Sequence, residues 1–430
     1  MAHAQTKGPR MPPPRLIRRL VLAPLVVVIG IAVIVLFPLL ALVALVSGLT
    51  GRLVRPGPQL LRGLRLLWLV TVWLAGEIVA LTVSLGLWIT SGFGRRMHTE
   101  PYQRRTYATI RWFLALVYRT TVRAFNVKIT IEEPSVTPRE RRERLARPVI
   151  VFSRHGGPGD SIVILHYLLS VYKRHPRVVM KAALQVDPTL DVTANRVPNL
   201  FINRRDLGEQ TNTEKVNLLA RGLDQDGALL IFPEGGNWSP ARWRHRIERL
   251  EQDGRTDLAS RAQQMPNLLA PQPGGVLAAI GARPDADVIF LAHAGLDGLI
   301  TVRDVWRHLP PDPFIRAQWW RVPFDQVPRS EKYEVQVKWL YDWWQRIDAW
   351  VTEHRPATAP GSPAAPASPP AEAIPGHPVP GHPVPGHPVP GHPVPGHPVP
   401  EHAVPEASAA GAEGHAGPLA DGSASAAASS

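Results

Sequence analysis

"VIVFSRHGGPGDS", residues 149–161, is an apolar run that stops at His155, after which Gly156, Gly157, Pro158 and Gly159 separate that histidine from Asp160. Glycine and proline punctuate regular structure, so the stretch reads as a sharp reversal, neither helix nor strand. A reversal there returns the Asp160 carboxylate beneath the His155 ring. A histidine general base needs that arrangement: one ring nitrogen oriented by a carboxylate, the other open to a proton. The other reading is a Gly/Pro loop whose polar ends merely cap it.

Working outward, short apolar runs bounded by turns recur as "PVIVFS", "RVVMKAAL", "NLFINR", "ALLIFPEG" and "DVIFLAHAG". Helical patterns lie between several of them, after Asp160 and in "TEKVNLLARGL". Alternation of this kind predicts an α/β domain over 146–353 with a mostly parallel central sheet and flanking helices. In such sheets functional residues gather at strand C-terminal ends, where both His155 and Glu234 fall. A closing helix carries Leu340, Trp343, Trp344, Ile347 and Val351 on one face, read as packing residues.

Upstream, residues 21–49 carry no charge and exceed the length that about 30 Å of hydrocarbon requires. Residues 66–93 form a second apolar stretch, interrupted by Glu77 alone. The two predict a membrane hairpin over 20–93, behind a basic segment at 1–19. Glu77 is either a functional intramembrane acid or merely a protonated or helix-paired one. No partner acid or base lies near it in sequence, which favours the second. Arginines flank both ends and the connecting loop, so the positive-inside rule gives only a slight preference for both hairpin ends, and the catalytic domain, on the cytoplasmic face. A shallow re-entrant hairpin is the alternative. Residues 94–145 form a basic connector in which Ile110, Phe113, Leu114 and Val117 recur at helical spacing. That face suits anionic headgroups or packing onto the soluble domain.

Downstream, 354–430 turns to Pro, Ala, Gly and Ser with a repeating "PGHPV", a tail that cannot bury a core and is expected to be disordered. Its histidines do not align on one face of a three-residue polyproline turn, so no metal site is expected there. The chain has no cysteine, which excludes thiolate nucleophiles, disulfides and Cys-type zinc sites. With 48 Lys+Arg against 35 Asp+Glu the net charge is +13. Without a zinc-finger spacing, an aromatic RNA-binding signature or a concentrated basic block, that charge points to membrane lipid and anionic substrate, with no nucleic-acid partner.

Taken together, His155 to Asp160 (H-x4-D), Phe201 to Arg204 (F-x-x-R) and Phe232 to Gly235 (F-P-E-G) resemble, in this order, the motifs of the glycerolipid acyltransferase family, whose familiar member is 1-acylglycerol-3-phosphate acyltransferase. The resemblance spans 146–295. It implies that His155 is the general base and Asp160 its orienting partner. It also implies that a lysophospholipid hydroxyl attacks an acyl thioester, from coenzyme A or acyl carrier protein, with no further cofactor. Phe201 and Arg204 then map to the acceptor's phosphate site, Glu234 and Gly235 to acceptor positioning, and Lys181 and Arg205 to supporting positive charge. Two departures stand out. Gly236-Asn237 replaces the usual Thr-Arg, and "VIFLAHAG" lacks the proline of the fourth motif, so no role passes to His293.

Two other functions compete. "GDS" at 159–161 resembles the Gly-Asp-Ser-Leu esterases, but the Asp-x-x-His pair those need is missing after residue 300. A membrane-tethered lipid-binding protein with an inactive site is the other, and intact His155, Asp160, Arg204 and Glu234 argue against it.

Overall fold

The computed structural model describes residues 12–54, 62–133, 137, 146–203, 209–295 and 314–355. The repeat tail, Arg204 and Arg205 lie outside them. A helical turn at Arg18–Leu22 leads into α1 (Ala23–Val54), which continues through Pro38, followed by α2 (Arg62–Thr90) and α3 (Glu100–Phe125). After β1 (Lys128–Glu132) and β2 (Val149–Ser153) come α4 (Pro158–His166), β3 (His175–Lys181), α5 (Pro188–Ala194) and β4 (Leu200–Ile202). The chain continues as α6 (Glu209–Arg221), β5 (Gly227–Ile231), α7 (Pro240–Gln252), α8 (Thr256–Gln263) and α9 (Pro273–Ala282). It closes with β6 (Asp287–Ala294), β7 (Phe314–Val322) and α10 (Tyr333–His354).

The seven strands form one sheet in the order β1-β7-β6-β2-β5-β3-β4. Every pairing is parallel except β6 with β7. The α/β expectation therefore holds, with an antiparallel margin added at one edge. Central β2 and β5 are buried at every residue, as continuous apolar strands covered on both faces should be. One face packs under α6 to α10, where Trp344 is fully buried and Trp343 stacks on Phe290 at 4.6 Å. Against the other face lie α4 and α3. The run "RVVMKAAL" is strand only to Lys181; Ala182–Val186 winds into a 3₁₀ segment.

Helices α1 and α2 are long and apolar enough to cross a membrane, and α1 exposes large apolar side chains along its length. The middle of α2 is instead covered by protein, with Thr71, Glu77 and Ala80 buried. Gly76 lets α3 approach so closely that a Cβ there would lie 3.0 Å from the Phe113 ring, and Trp73 meets Phe113 edge-on at 5.4 Å. The apolar face of α3 is thus spent on packing: Tyr107, Phe113, Leu114 and Val117 are all buried. Glu77 is buried beside Thr189 and Asp187, so the partner acid that sequence proximity could not supply comes from the loop before α5.

The first helical turn and α5 are joined by charge. Asp191 accepts from Arg18 at 2.7 Å and from Arg19 at 3.2 Å, and Arg196 donates to the Ser84 carbonyl at 2.7 Å. Removing one partner of a buried pair strands the other, which typically costs about 3–5 kcal/mol. Asp191→Ala is therefore expected to lower the melting temperature in detergent by several degrees and to expose the segment before α1 to protease. Unchanged melting and cleavage would mean that the bridge does not fasten the hairpin.

Candidate active site

The local chemistry of HGGPGD explains its geometry. Pro158 occupies the first position of α4, where its fixed φ suits the helix and its missing N–H loses nothing. The helix thus begins inside the Gly/Pro stretch, which is not turn throughout, because proline and glycine are tolerated in a first turn. Asp160 becomes the third helical residue and reaches back to accept from the Gly157 N–H at 3.2 Å. The same oxygen, Oδ2, lies 2.9 Å from His155 Nδ1. The second oxygen accepts from the backbone and hydroxyl of Ser161. Burial acts to raise the Asp160 pKa, but the His155 hydrogen bond, the nearby His293 and the Gly157 N–H outweigh it and hold the carboxyl below its usual value. A carboxylate that stays ionised at a helix N-terminus fixes the imidazole with Nε2 as the ring nitrogen left to take a proton.

Phe232 and Glu234, after β5, complete the mount. The Phe232 ring lies tilted against the His155 ring at 4.6 Å. Glu234 is 1 % exposed and spends Oε1 on the His155 N–H at 2.8 Å and Oε2 on the Leu269 N–H at 3.0 Å. Burial raises its pKa to about 7, against the opposing pull of Arg154 and the two N–H donors. Any influence of Glu234 on an acceptor therefore passes through the loop that carries the base. Arg154, 1 % exposed, also faces Asp348 of α10, whose carboxylate accepts from the Asn267 N–H at 2.8 Å.

Gly235 has φ +65°, a left-handed backbone that glycine adopts without strain, and the tight approach of the Gln272 side chain leaves no room for a Cβ there. Beside it, a Cβ added at Gly236 would lie 3.6 Å from both Lys181 Nζ and an Arg242 guanidinium nitrogen. Ser239 caps α7 by accepting from the Arg242 N–H at 3.3 Å, folding that first turn back over the glycines, and Arg242 donates to the Asn237 carbonyl at 2.9 Å. Two cations thus flank the turn. Phe201 is partly exposed on β4, paired with Met180 one residue before Lys181, so it belongs to the same edge.

Between α4 and strands β1, β7, β6 and β2 runs a cavity of about 160 Å³, lined largely by apolar side chains such as Val151, Val163, Ile164, Leu168, Ile289 and Ile315. Asp160 and His293 line it near the dyad. Arg321 pairs with Ile289, four residues before His293 on β6, and so marks the other end.

A histidine paired with a buried carboxylate thus stands at the C-terminal edge of an α/β sheet, beside an apolar cavity. A family model described as Acyltransferase matches residues 128–272 of this chain. It begins at β1 and ends at Gln272, so His155, Asp160, Lys181, Phe201, Glu234 and Arg242 fall inside it, and His293, Arg321 and Asp348 fall outside. No curated protein matches the chain.

Proposed function

We propose that this chain is a membrane-bound acyltransferase that moves a fatty acyl chain from a thioester to a lysophospholipid hydroxyl, foremost from 1-acylglycerol-3-phosphate to phosphatidic acid. The observation that carries the reading is the His155–Asp160 pair set over an apolar cavity. His155 Nε2 takes the hydroxyl proton as the acceptor oxygen bonds to the thioester carbonyl carbon. Collapse of the tetrahedral intermediate breaks the C–S bond, and the departing thiolate receives the proton from the imidazolium. Coenzyme A or acyl carrier protein would be the leaving thiol. The catalytic domain faces the cytoplasm in this reading, with the hairpin holding the site at the lipid surface where both the acceptor and its product reside.

Lys181 and Arg242 beside Gly236 support an anionic acceptor. Arg242 comes from the first turn of α7 and occupies the neighbourhood that loses a cation where Asn237 replaces arginine. Charge-assisted contacts of this kind contribute about 1.5–3 kcal/mol each. Arg242→Ala and Lys181→Ala should each raise the acceptor KM about tenfold or more, with the donor KM spared. The decisive assay offers purified protein a labelled acyl thioester and a panel of lysolipids. Preference for a phosphodiester lysolipid would change the named acceptor, equal use of an uncharged monoacylglycerol would remove the anion site, and no transfer to any member would favour the inactive lipid-binding alternative.

A further inference from the structure

We infer that His293 is a positioning residue for the His155–Asp160 pair, acting from the opposite side of the Asp160 carboxylate. The inference rests on the reading of His155 as the base.

His293 is 3 % exposed near the end of β6, the strand beside β2. Its ring and backbone are both fixed by Arg154, the residue before the base. Its Nε2 lies 3.2 Å from the Arg154 carbonyl, and an Arg154 guanidinium nitrogen donates to the His293 carbonyl at 2.6 Å. A carbonyl only accepts, so Nε2 carries the hydrogen. The same Nε2 stands 3.7 Å from Asp160 Oδ2, the oxygen that faces His155. That separation is too long for a direct hydrogen bond but close enough for a strong electrostatic effect in a buried site. Asp160 is thus placed between two imidazoles, one partly exposed and one enclosed.

The end of β6 is fixed as well. Gly295 has φ +98°, and a Cβ there would lie 2.1 Å from the Phe314 carbonyl oxygen of β7. Two residues before it, His293 cannot swing away without reorganising that close approach. The charged and titratable groups around it are Asp160 from α4, His155 from the loop and Arg154 just after β2, with Glu234 and Asp348 facing Arg154 from behind. Glu133, Tyr167, Tyr172, Arg174 and Arg321 line the same cavity.

The consequence has a definite sign. A positive N–H edge beside Asp160 lowers the electron density that the carboxylate offers to His155. Without it, the carboxylate holds the His155 proton more tightly, and the base is free only at higher pH. Its loss should therefore move the acid limb of the kcat/KM profile upward. His293→Phe removes the donor and keeps volume; His293→Gln keeps an N–H donor. The expected result is an upward shift of about half a pH unit or more for Phe and a nearly wild-type limb for Gln.

The titration of His155 is also to be read without turnover, from the pH dependence of its acylation by diethyl pyrocarbonate, mapped by peptide mass spectrometry. The labelling midpoint should rise in His293→Phe, whether or not the acceptor has been named correctly. Absence of acyl transfer in wild type together with a shifted midpoint would sink the function and keep this inference. An unshifted midpoint in folded His293→Phe would overturn it. So would misfolding of both His293→Phe and His293→Ala beside a folded His293→Gln, because the histidine would then serve the strand and not the base.

Discussion

His155→Ala is expected to lower acyl transfer by about two to four decades, the usual cost of removing a general base, while the protein still folds and stays with the membrane. The ring is only partly buried, with its side chain 17 % exposed. It is held by Asp160 and Phe232 without itself holding strands together. Melting temperature should accordingly change little. Asp160→Asn is expected to fall almost as far, with an added loss of stability. Asp160 is fully buried and accepts from Gly157 and Ser161 as well as facing the histidine, and an amide cannot accept at both of its heavy atoms. The assay is single-turnover transfer from a labelled thioester, with melting followed in parallel. Activity of His155→Ala within a few-fold of wild type would end the general-base reading.

The centre of this site was legible because its determinants are local in sequence. His155, Asp160, Phe232 and Glu234 sit in glycine- and proline-marked turns directly after apolar runs, and the parallel order of β2 and β5 brings those turns together. What escaped notice is tertiary or lies at an edge. Strand β1 alternates exposed and half-buried residues, and β7 mixes Arg316, Gln318 and Arg321 among its aromatics, so neither shows the continuous apolar run of a central strand. Asp187 reaches Glu77 across 110 positions of chain, a contact no local pattern carries. Asp348 was visible in principle: it follows Ile347 on the buried stripe of α10, and an acid among buried residues asks for a partner. Arg242 was hidden because its approach to Gly236 depends on the Ser239 cap.

Glu234→Gln tests how far that mount controls the base, and it carries the second large effect. Both carboxylate oxygens accept, one from the His155 N–H and one from the Leu269 N–H. An amide in the same place must present its own N–H to one of those donors, leaving a buried clash that costs about 1–3 kcal/mol. If the His155 end yields, the ring moves relative to Asp160, and a displacement near 1 Å can cost about 10²-fold in rate. A fall of that order in kcat is expected, accompanied by a lower melting temperature. The pH dependence supplies the control. The folded-state pKa of Glu234 is raised from the usual 4.5 to about 7, chiefly by burial. Between those values the folded chain keeps a proton that the unfolded chain has released, so Glu234's contribution is fully present below pH 4.5 and declines as pH rises through 7. Glutamine does not titrate, so stability of the variant should lose that decline and differ most in slope between pH 4.5 and 7. A variant with unchanged kcat and an unchanged stability slope would show that Glu234 neither seats the base nor carries the buried proton, and His155 would have to be held by Asp160 and Phe232 alone.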